Sequence, residues 1–148
     1  MRNKKIKPYF GLLEHKADMG IRGYGNSFEE AFQEAAKAMF SIMVELETVQ
    51  KKDKFEIRIE ENSLEKLFVK WLNELLYLSD AKQFLFKEFK IKDISERKNT
   101  FSLTATAFGE KLNEKKHILN TEVKAATYSG LKVEKQGNIC IAQCVVDV

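Results

Sequence analysis

The chain has 148 residues, of which 44% are hydrophobic and 32% charged, and its formal net charge at pH 7 is +3. This length predicts a single domain over residues 1–148 with a real core, and the composition is that of an ordinary globular protein. The weak charge, with Lys and Glu interleaved, argues against a dedicated nucleic-acid-binding protein. No stretch is apolar enough to span a membrane, and the basic start lacks the apolar run of a signal peptide, so we expect a cytoplasmic protein.

The amino-terminal part predicts two short strands on either side of an acidic, glycine-containing motif. The first strand covers Lys7–Leu13 and begins beside Pro8, which an edge strand tolerates. Residues 14–25 then place two carboxylates and an imidazole within five residues, followed by three glycines within six. Acids and imidazoles are ligand or proton-transfer groups, and glycines let the backbone turn or approach another group closely. A second strand is predicted over Met19–Tyr24.

Two amphipathic helices are predicted, and a serine precedes each of them. Ser27 caps a helix that runs to about Val44, and Glu30 is expected to complete a capping box by reaching back to the cap. Alanines make one side of this helix thin, which allows close approach to a sheet or to a second helix. Ser63 caps the second helix, where Trp71 lies on the apolar stripe. We therefore interpret Trp71 as a core anchor rather than a platform for stacking bases.

The chain between and after the helices favours strands. Apolar and charged residues alternate over 55–59, which predicts a strand with one buried face. After the second helix the apolar period changes to two at Phe84, and a phase slip before Phe89 indicates a bulge. The next strand starts at Phe101 and is expected to end at Gly109.

The carboxy-terminal part predicts a loop followed by strands. Residues 110–120 are polar and without periodicity, so we expect an exposed loop that includes His117. Residues 121–135 predict one long strand, interrupted near Ser129. A hairpin turn over 136–138 then leads to a final strand over 139–148.

Cys140 and Cys144 lie four residues apart on the final strand. Their separation along a strand is roughly 13 Å, which is too far for a disulfide. Two thiols alone do not make a zinc site. We interpret both as free thiols packed as small apolar groups.

The order of these elements predicts the fold class. Strands separated by two helices and followed by four strands with short connections indicate an α+β fold. The strands are expected to be mainly antiparallel, with the two long helices packed together on one side.

Five segments of the chain, in order and at matching separations, resemble the archease family. Each of them is weak evidence alone, and together they span nearly the whole sequence. They are Glu14–Ile21, Ser27–Phe40, Trp71–Tyr77, Glu122–Tyr128 and Val145–Val148.

The resemblance implies an accessory protein rather than an enzyme. Archeases assist the GTP- and manganese-dependent RNA ligase of tRNA splicing by speeding formation of its guanylylated intermediate and allowing multiple turnover. The implied partner is thus a tRNA-splicing RNA ligase, and contact with RNA is expected indirectly, through the ligase. The family also binds a divalent metal, and the positions that match its ligands are Asp18, Asp147 and the terminal Val148. Calcium is the metal expected in vitro, with manganese and magnesium as alternatives.

The chemistry of these residues agrees with a hard cation. Two aspartates and a chain-terminal carboxylate are oxygen ligands that suit calcium, magnesium or manganese rather than zinc. On position alone, Asp147 is equally interpretable as a solvated acid at a strand end. Lys16 stands where the family usually has threonine, and its charge would repel a cation or pair with Asp18. Ser129 stands where histidine is common, and His15 is interpreted as a hydrogen-bonding histidine.

Two other functional classes stay open on the sequence. One is a metal-dependent phosphoesterase, because clustered carboxylates with a cation activate water, although no general base or phosphate cradle is evident. The other is a small RNA-binding or chaperone module. Strong, salt-sensitive RNA binding by the isolated protein would favour the RNA-binding module.

Overall fold

The chain folds into two antiparallel sheets and two helices, and a computed structural model describes residues 5–14 and 18–148. The predicted α+β class is confirmed. The elements are β1 (Tyr9–Glu14), β2 (Asp18–Gly25), α1 (Phe28–Met43), β3 (Asp53–Glu61), α2 (Leu64–Lys82), β4 (Phe84–Arg97), β5 (Thr100–Lys111), β6 (Ala125–Ala126), β7 (Lys132–Gln136) and β8 (Ile139–Asp147).

The division of the strands into two sheets is a feature that the sequence did not predict. The larger sheet has the order β1-β2-β8-β6, and β7 also pairs with β8. The smaller sheet has the order β3-β5-β4. Strand β8 is central in the larger sheet, because it pairs with β2 along one side and with β6 and β7 along the other. Apolar periodicity identifies a strand but carries no information on which sheet it joins.

Helix α1 contacts both sheets and forms the centre of the core. Its thin side lies on β2, where a Cβ added at Gly23 would come within 2.0 Å of the Ala31 carbonyl oxygen and 2.5 Å of the Ala35 nitrogen. Elsewhere on α1 the ring of Phe40 meets that of Phe86 on β4, with the centroids 5.6 Å apart. The expected close approach of the alanine side to a sheet is therefore confirmed.

Helix α2 contacts α1 through aromatic side chains. The Trp71 indole N–H donates to the Phe32 carbonyl oxygen at 3.0 Å, and the Phe32 and Phe68 rings lie 4.9 Å apart. Trp71 is fully buried, so its interpretation as a core anchor is confirmed. Among the described residues, neither helix is long and apolar enough to cross a membrane.

The serine caps form as predicted, whereas the capping box differs in one detail. The Ser27 hydroxyl accepts the Glu30 N–H at 3.2 Å, and the Ser63 hydroxyl accepts the Lys66 N–H at 3.1 Å. The Glu30 carboxylate, however, accepts the backbone N–H of Asn26 at 2.7 Å rather than that of Ser27. The Asn26 side-chain amide also donates to it at 2.9 Å, which gives Glu30 a better partner one residue earlier.

The predicted bulge is confirmed, and the predicted end of β5 is wrong. The register of β4 against β5 shifts between Phe86 and Glu88. Gly109 lies inside β5 opposite Phe86, and a Cβ there would come within 1.8 Å of the Leu85 carbonyl oxygen. The glycine therefore permits a close strand approach beside the bulge instead of ending the strand.

The long strand predicted over 121–135 is wrong. Only the short β6 and β7 form there, because Ala125 pairs with Asp147 whereas Lys132 pairs with Gln143, a change of register that breaks the strand between them. The predicted interruption near Ser129 is confirmed. Between β6 and β7 the Ser129 carbonyl oxygen accepts the Val145 N–H at 2.9 Å. The predicted hairpin turn is confirmed: two residues, Gly137 with a φ of +62° and Asn138, join β7 to β8.

The inner face of β8 carries the two cysteines into the core. Cys140 and Cys144 are buried free thiols, as predicted. Burial raises the pKa of Cys144 to about 12, although a hydrogen bond involving the Thr127 backbone acts in the opposite direction. The thiol therefore stays protonated and packs as a small apolar group.

Candidate metal site

The two aspartates identified from the sequence are direct partners across the β2–β8 ladder. Asp18 begins β2, Asp147 ends β8, and the register places them opposite each other. Opposed residues of an antiparallel pair have Cβ atoms about 4.5–5.5 Å apart and share one face of the sheet. Asp147 is exposed and Asp18 is partly buried. Both carboxylates are thus close enough to meet at one ion where β2 begins and β8 ends.

The end of β8 is held in place by groups on its other side. Ala125 of β6 pairs with Asp147, and the Lys124 N–H donates to the Asp147 carbonyl oxygen at 2.8 Å. Asn73 of α2 fixes β6 in turn, since its side-chain oxygen accepts the Ala126 N–H at 2.9 Å and its amide donates to the Ala126 carbonyl at 3.1 Å. The sequence did not identify Asn73 as a positioning residue. The available signal was its amide side chain, which lies next to the apolar stripe of the second helix.

The carboxylate pair is electrostatically unusual. In the part of the chain that the structure describes, neither carboxylate takes part in a side-chain hydrogen bond or an ion pair. Two like charges directly opposite each other destabilise a strand pair. A divalent cation between them would remove this repulsion, and oxygen donors of this kind suit calcium, magnesium or manganese.

The other residues predicted near the site are placed as follows. Val148 directly follows Asp147, is half-buried and packs against the main core. The backbone of Ser129 bonds to Val145, two residues before Asp147 on the same strand. His15 and Lys16 lie outside the described residues, so the effect of Lys16 on a cation stays a prediction. Within the described ranges, no third His, Cys, Asp or Glu side chain joins the pair.

A second carboxylate site lies between β5 and the loop that follows it. Glu110 is only 5% exposed. One of its oxygens accepts the Lys116 ammonium at 2.7 Å, and the other accepts the Gln50 N–H at 2.7 Å and bonds the His117 Nε2 at 2.9 Å. The His117 Nδ1 accepts the Asn113 N–H at 3.0 Å, which assigns the proton of the neutral ring to Nε2. Each oxygen of Glu110 therefore has a hydrogen-bond partner.

This arrangement corrects the predicted exposed loop over residues 110–120, because Glu110 and His117 are both buried. Burial alone raises the pKa of Glu110, but hydrogen bonds from Lys116, from His117 and from the Gln50 backbone outweigh it and lower the pKa to about 2. Glu110 is thus a structural carboxylate. Its partners Lys116 and His117 lie in the same polar stretch and Gln50 lies 60 residues away, and neither composition nor periodicity indicates that these groups meet.

Fold and site together define a small α+β protein with two opposed aspartates where two strands of the larger sheet meet. A model of the archease protein family matches residues 10–148. The archease of Pyrococcus abyssi is 43% identical over 136 residues, which cover 91% of this chain and 95% of the relative. The archease of Methanosarcina mazei is 40% identical over 139 residues, which cover 94% and 95%. The chain therefore belongs to the archease family, as its five segments predicted.

Solved structures agree with this conclusion. The solution structure of Methanobacterium thermoautotrophicum protein 1598 has a TM-score of 0.83 at 32% identity and covers 94% of this chain and 98% of its own. The crystal structure of an archease and possible chaperone from Thermotoga maritima has a TM-score of 0.52 at 24% identity, covering 100% and 98%. The second likeness concerns the fold alone.

Proposed function

We propose that this protein is a non-catalytic accessory protein of a GTP- and manganese-dependent tRNA-splicing RNA ligase, acting in the cytoplasm. In this role it promotes guanylylation of the ligase and allows it to turn over repeatedly. Membership of the archease family supports the proposal.

The proposal includes a divalent-metal site made by Asp18, Asp147 and the carboxyl group of Val148. The observation that carries it is the direct pairing of Asp18 with Asp147 across two strands. Calcium takes six to eight oxygen ligands at about 2.3–2.6 Å, so the remaining positions are open to water or to a partner's oxygen atoms. Manganese and magnesium are alternatives with the same donor preference.

A cation at this site has a structural consequence for the chain. It ties the first residue of β2 to the last residue of β8 and replaces repulsion between two acids by attraction to a shared ion. It also leaves open coordination positions at the accessible end of the larger sheet, where an oxygen atom of a partner could bind the ion. Asn73 and Lys124 keep β8 in position through their bonds to Ala126 and Asp147.

The test measures ligase guanylylation and multiple-turnover RNA joining by the cognate ligase, with and without this protein. We expect Asp18→Asn and Asp147→Asn to fold normally by circular dichroism and to lose stimulation. Asp93→Asn, an exposed acid on β4, is the matched control and should stimulate fully. If the two site variants stay folded and stimulate like the unchanged protein, the site is wrong. The protein alone is assayed on phosphate esters, where metal-dependent turnover would instead support a phosphoesterase.

The Val148 carboxylate has its own test. Adding residues after Val148 turns this carboxylate into a neutral amide, and deleting Val148 moves the free carboxylate by about 3.3 Å, one strand residue. Coordination distances of about 2.0–2.6 Å do not tolerate such a shift. Both changes should weaken metal binding by calorimetry, whereas an extension before Met1 should not. Equal binding by the carboxy-terminally extended protein would leave Asp147 as the only ligand at that end.

A further inference from the structure

A group of lysines surrounds two adjoining cavities at the end of the smaller sheet where β3 begins and β5 ends. The cavities have volumes of about 750 and 260 Å³, and both are lined by Asp53 and Lys111. The lysines come from three separate stretches of the sequence. The lysine cluster consists of Lys52, Lys54, Lys82, Lys111, Lys115 and Lys116.

The surface of the lysine cluster carries an excess of positive charge. Three acids, Asp53, Glu110 and Glu114, line the same cavities as the six lysines. The formal charge of this surface therefore equals the +3 of the entire chain. The rest of the sequence is neutral overall, so the weak net charge hides a strongly uneven distribution. Charge concentrated in this way raises the local concentration of anions.

Most of these lysines have no acidic partner. Lys116 binds the buried Glu110 at 2.7 Å, and Lys52 lies 3.9 Å from the same carboxylate. No carboxylate described by the structure lies within 4.0 Å of the other four, which are exposed. Those four are Lys54, Lys82, Lys111 and Lys115. Their ammonium groups remain available to an anionic ligand.

We propose that the lysine cluster binds the phosphate backbone of RNA. The proposal deepens the proposed function, because it rests on RNA being present in the ligase reaction. Lysine acts towards phosphate as a point charge and positions the nucleic acid without base recognition. The aromatic residues that line the cavities, Phe55 and Phe84, pack in the core, so bases have no stacking platform. Binding should therefore be independent of base sequence and strongly dependent on salt.

An acidic protein surface fits the cluster less well than RNA does. The centres of protein–protein interfaces are depleted in lysine and depend on buried aromatic or arginine anchors. The described lining of both cavities is dominated by lysine and contains no arginine. Interfaces with nucleic acids, by contrast, are polar and positively charged.

The position of the cluster also suits a complex in which RNA and the aspartate pair are both engaged. A third cavity of about 560 Å³ adjoins the other two through Phe84 and Leu112. It extends along α2 to Lys124, whose N–H binds the Asp147 carbonyl oxygen. Separate cavities that share lining residues thus lie between the lysine cluster and the surroundings of the proposed metal site.

Fluorescence anisotropy of the isolated protein with a labelled oligouridine of about 20 nucleotides tests the proposal. We expect the triple variant Lys82→Gln, Lys111→Gln, Lys115→Gln to bind at least about tenfold more weakly, and its slope of log K against log salt to fall by about 2. The control variant Lys66→Gln, Lys90→Gln, Lys135→Gln removes three exposed lysines elsewhere, and its affinity should change by less than about threefold. Arginine at the three cluster positions should preserve binding.

Two further measurements separate this proposal from its rivals. Poly-glutamate should compete poorly with the oligouridine, and equal competition would indicate an acidic polypeptide as the ligand. Ligase guanylylation without RNA should be stimulated equally by the triple glutamine variant and the unchanged protein. Loss of that stimulation, or equal RNA binding by the cluster and control variants, would overturn the proposal. If even the unchanged protein fails to stimulate guanylylation, the proposed ligase function fails, and RNA binding by the isolated protein would then indicate an RNA-binding module instead.

Discussion

Glu110 and the Asp18–Asp147 pair are both carboxylate sites, but the fold treats them in opposite ways. Glu110 is buried, and its oxygens accept hydrogen bonds from Lys116, His117 and the Gln50 backbone. The aspartates face each other where β2 begins and β8 ends, and they lack a side-chain partner within the described residues. An acid with a hydrogen-bond partner on each oxygen stabilises the fold, whereas two opposed acids cost stability until a ligand binds. In this protein the buried carboxylate is therefore structural, whereas the two opposed carboxylates form a candidate binding site.

The largest expected effect comes from removing the structural acid. Glu110→Ala should lower the free energy of unfolding by about 3–5 kcal/mol, because it leaves the buried His117 and the partly buried Lys116 without their acceptor. Urea denaturation gives the value. Asp147→Ala in the presence of a chelator is the comparison, and should stay within about 0.5 kcal/mol of the unchanged protein or be more stable. A loss below about 1 kcal/mol for Glu110→Ala would show that its hydrogen bonds contribute little.

Lowering the pH should reveal the stabilising role of Glu110 without a mutation. The pKa of Glu110 is about 2 in the folded chain against an ordinary 4.5, so the unfolded chain takes up the proton first as pH falls. Its contribution is complete above about pH 4.5 and is lost as pH falls towards 2, an effect of up to about 3 kcal/mol. Urea denaturation between about pH 6 and 2.5 should show a steeper decline for the unchanged protein than for Glu110→Gln. Parallel declines would contradict the prediction.

The aspartate pair should contribute stability only when a cation is bound. At a free calcium concentration of about one hundred times Kd, binding should add about 2.7 kcal/mol to the free energy of unfolding. Thermal denaturation with calcium or with a chelator measures this gain, which Asp147→Asn should abolish and Asp93→Asn should retain. A calcium effect of the same size in Asp147→Asn would place the ion elsewhere.

The smallest expected effect is a gain in stability without any bound metal. With a chelator present, Asp18→Asn should stabilise the protein by about 0.2–1 kcal/mol, since it removes one of two opposed negative charges. Denaturant unfolding of Asp18→Asn and Asp93→Asn side by side gives the difference. Destabilisation of Asp18→Asn alone would show that its carboxylate accepts a bond that the fold needs.

The sequence by itself determined the helices and several core residues of this protein. Ser27 and Ser63 cap the helices, and the spacing of apolar residues placed Trp71 in the core, because these signals act within about four residues. The bulge before Phe89 was likewise visible as a local change of phase. The archease resemblance identified Asp18 and Asp147 together, although nothing local to either aspartate indicates the other.

Only the tertiary structure decided which distant groups meet. Asp18 and Asp147 lie near opposite ends of the sequence and become neighbours because β2 pairs antiparallel with β8. Glu110 was predicted to be exposed because its stretch is polar and without periodicity, but in the fold it binds the backbone of Gln50, which lies 60 residues away. The lysine cluster draws on three stretches that each look like ordinary solvated surface. Periodicity and capping report interactions within a turn or two of the chain, whereas strand register and the packing of elements set the distances between charges that far apart in sequence.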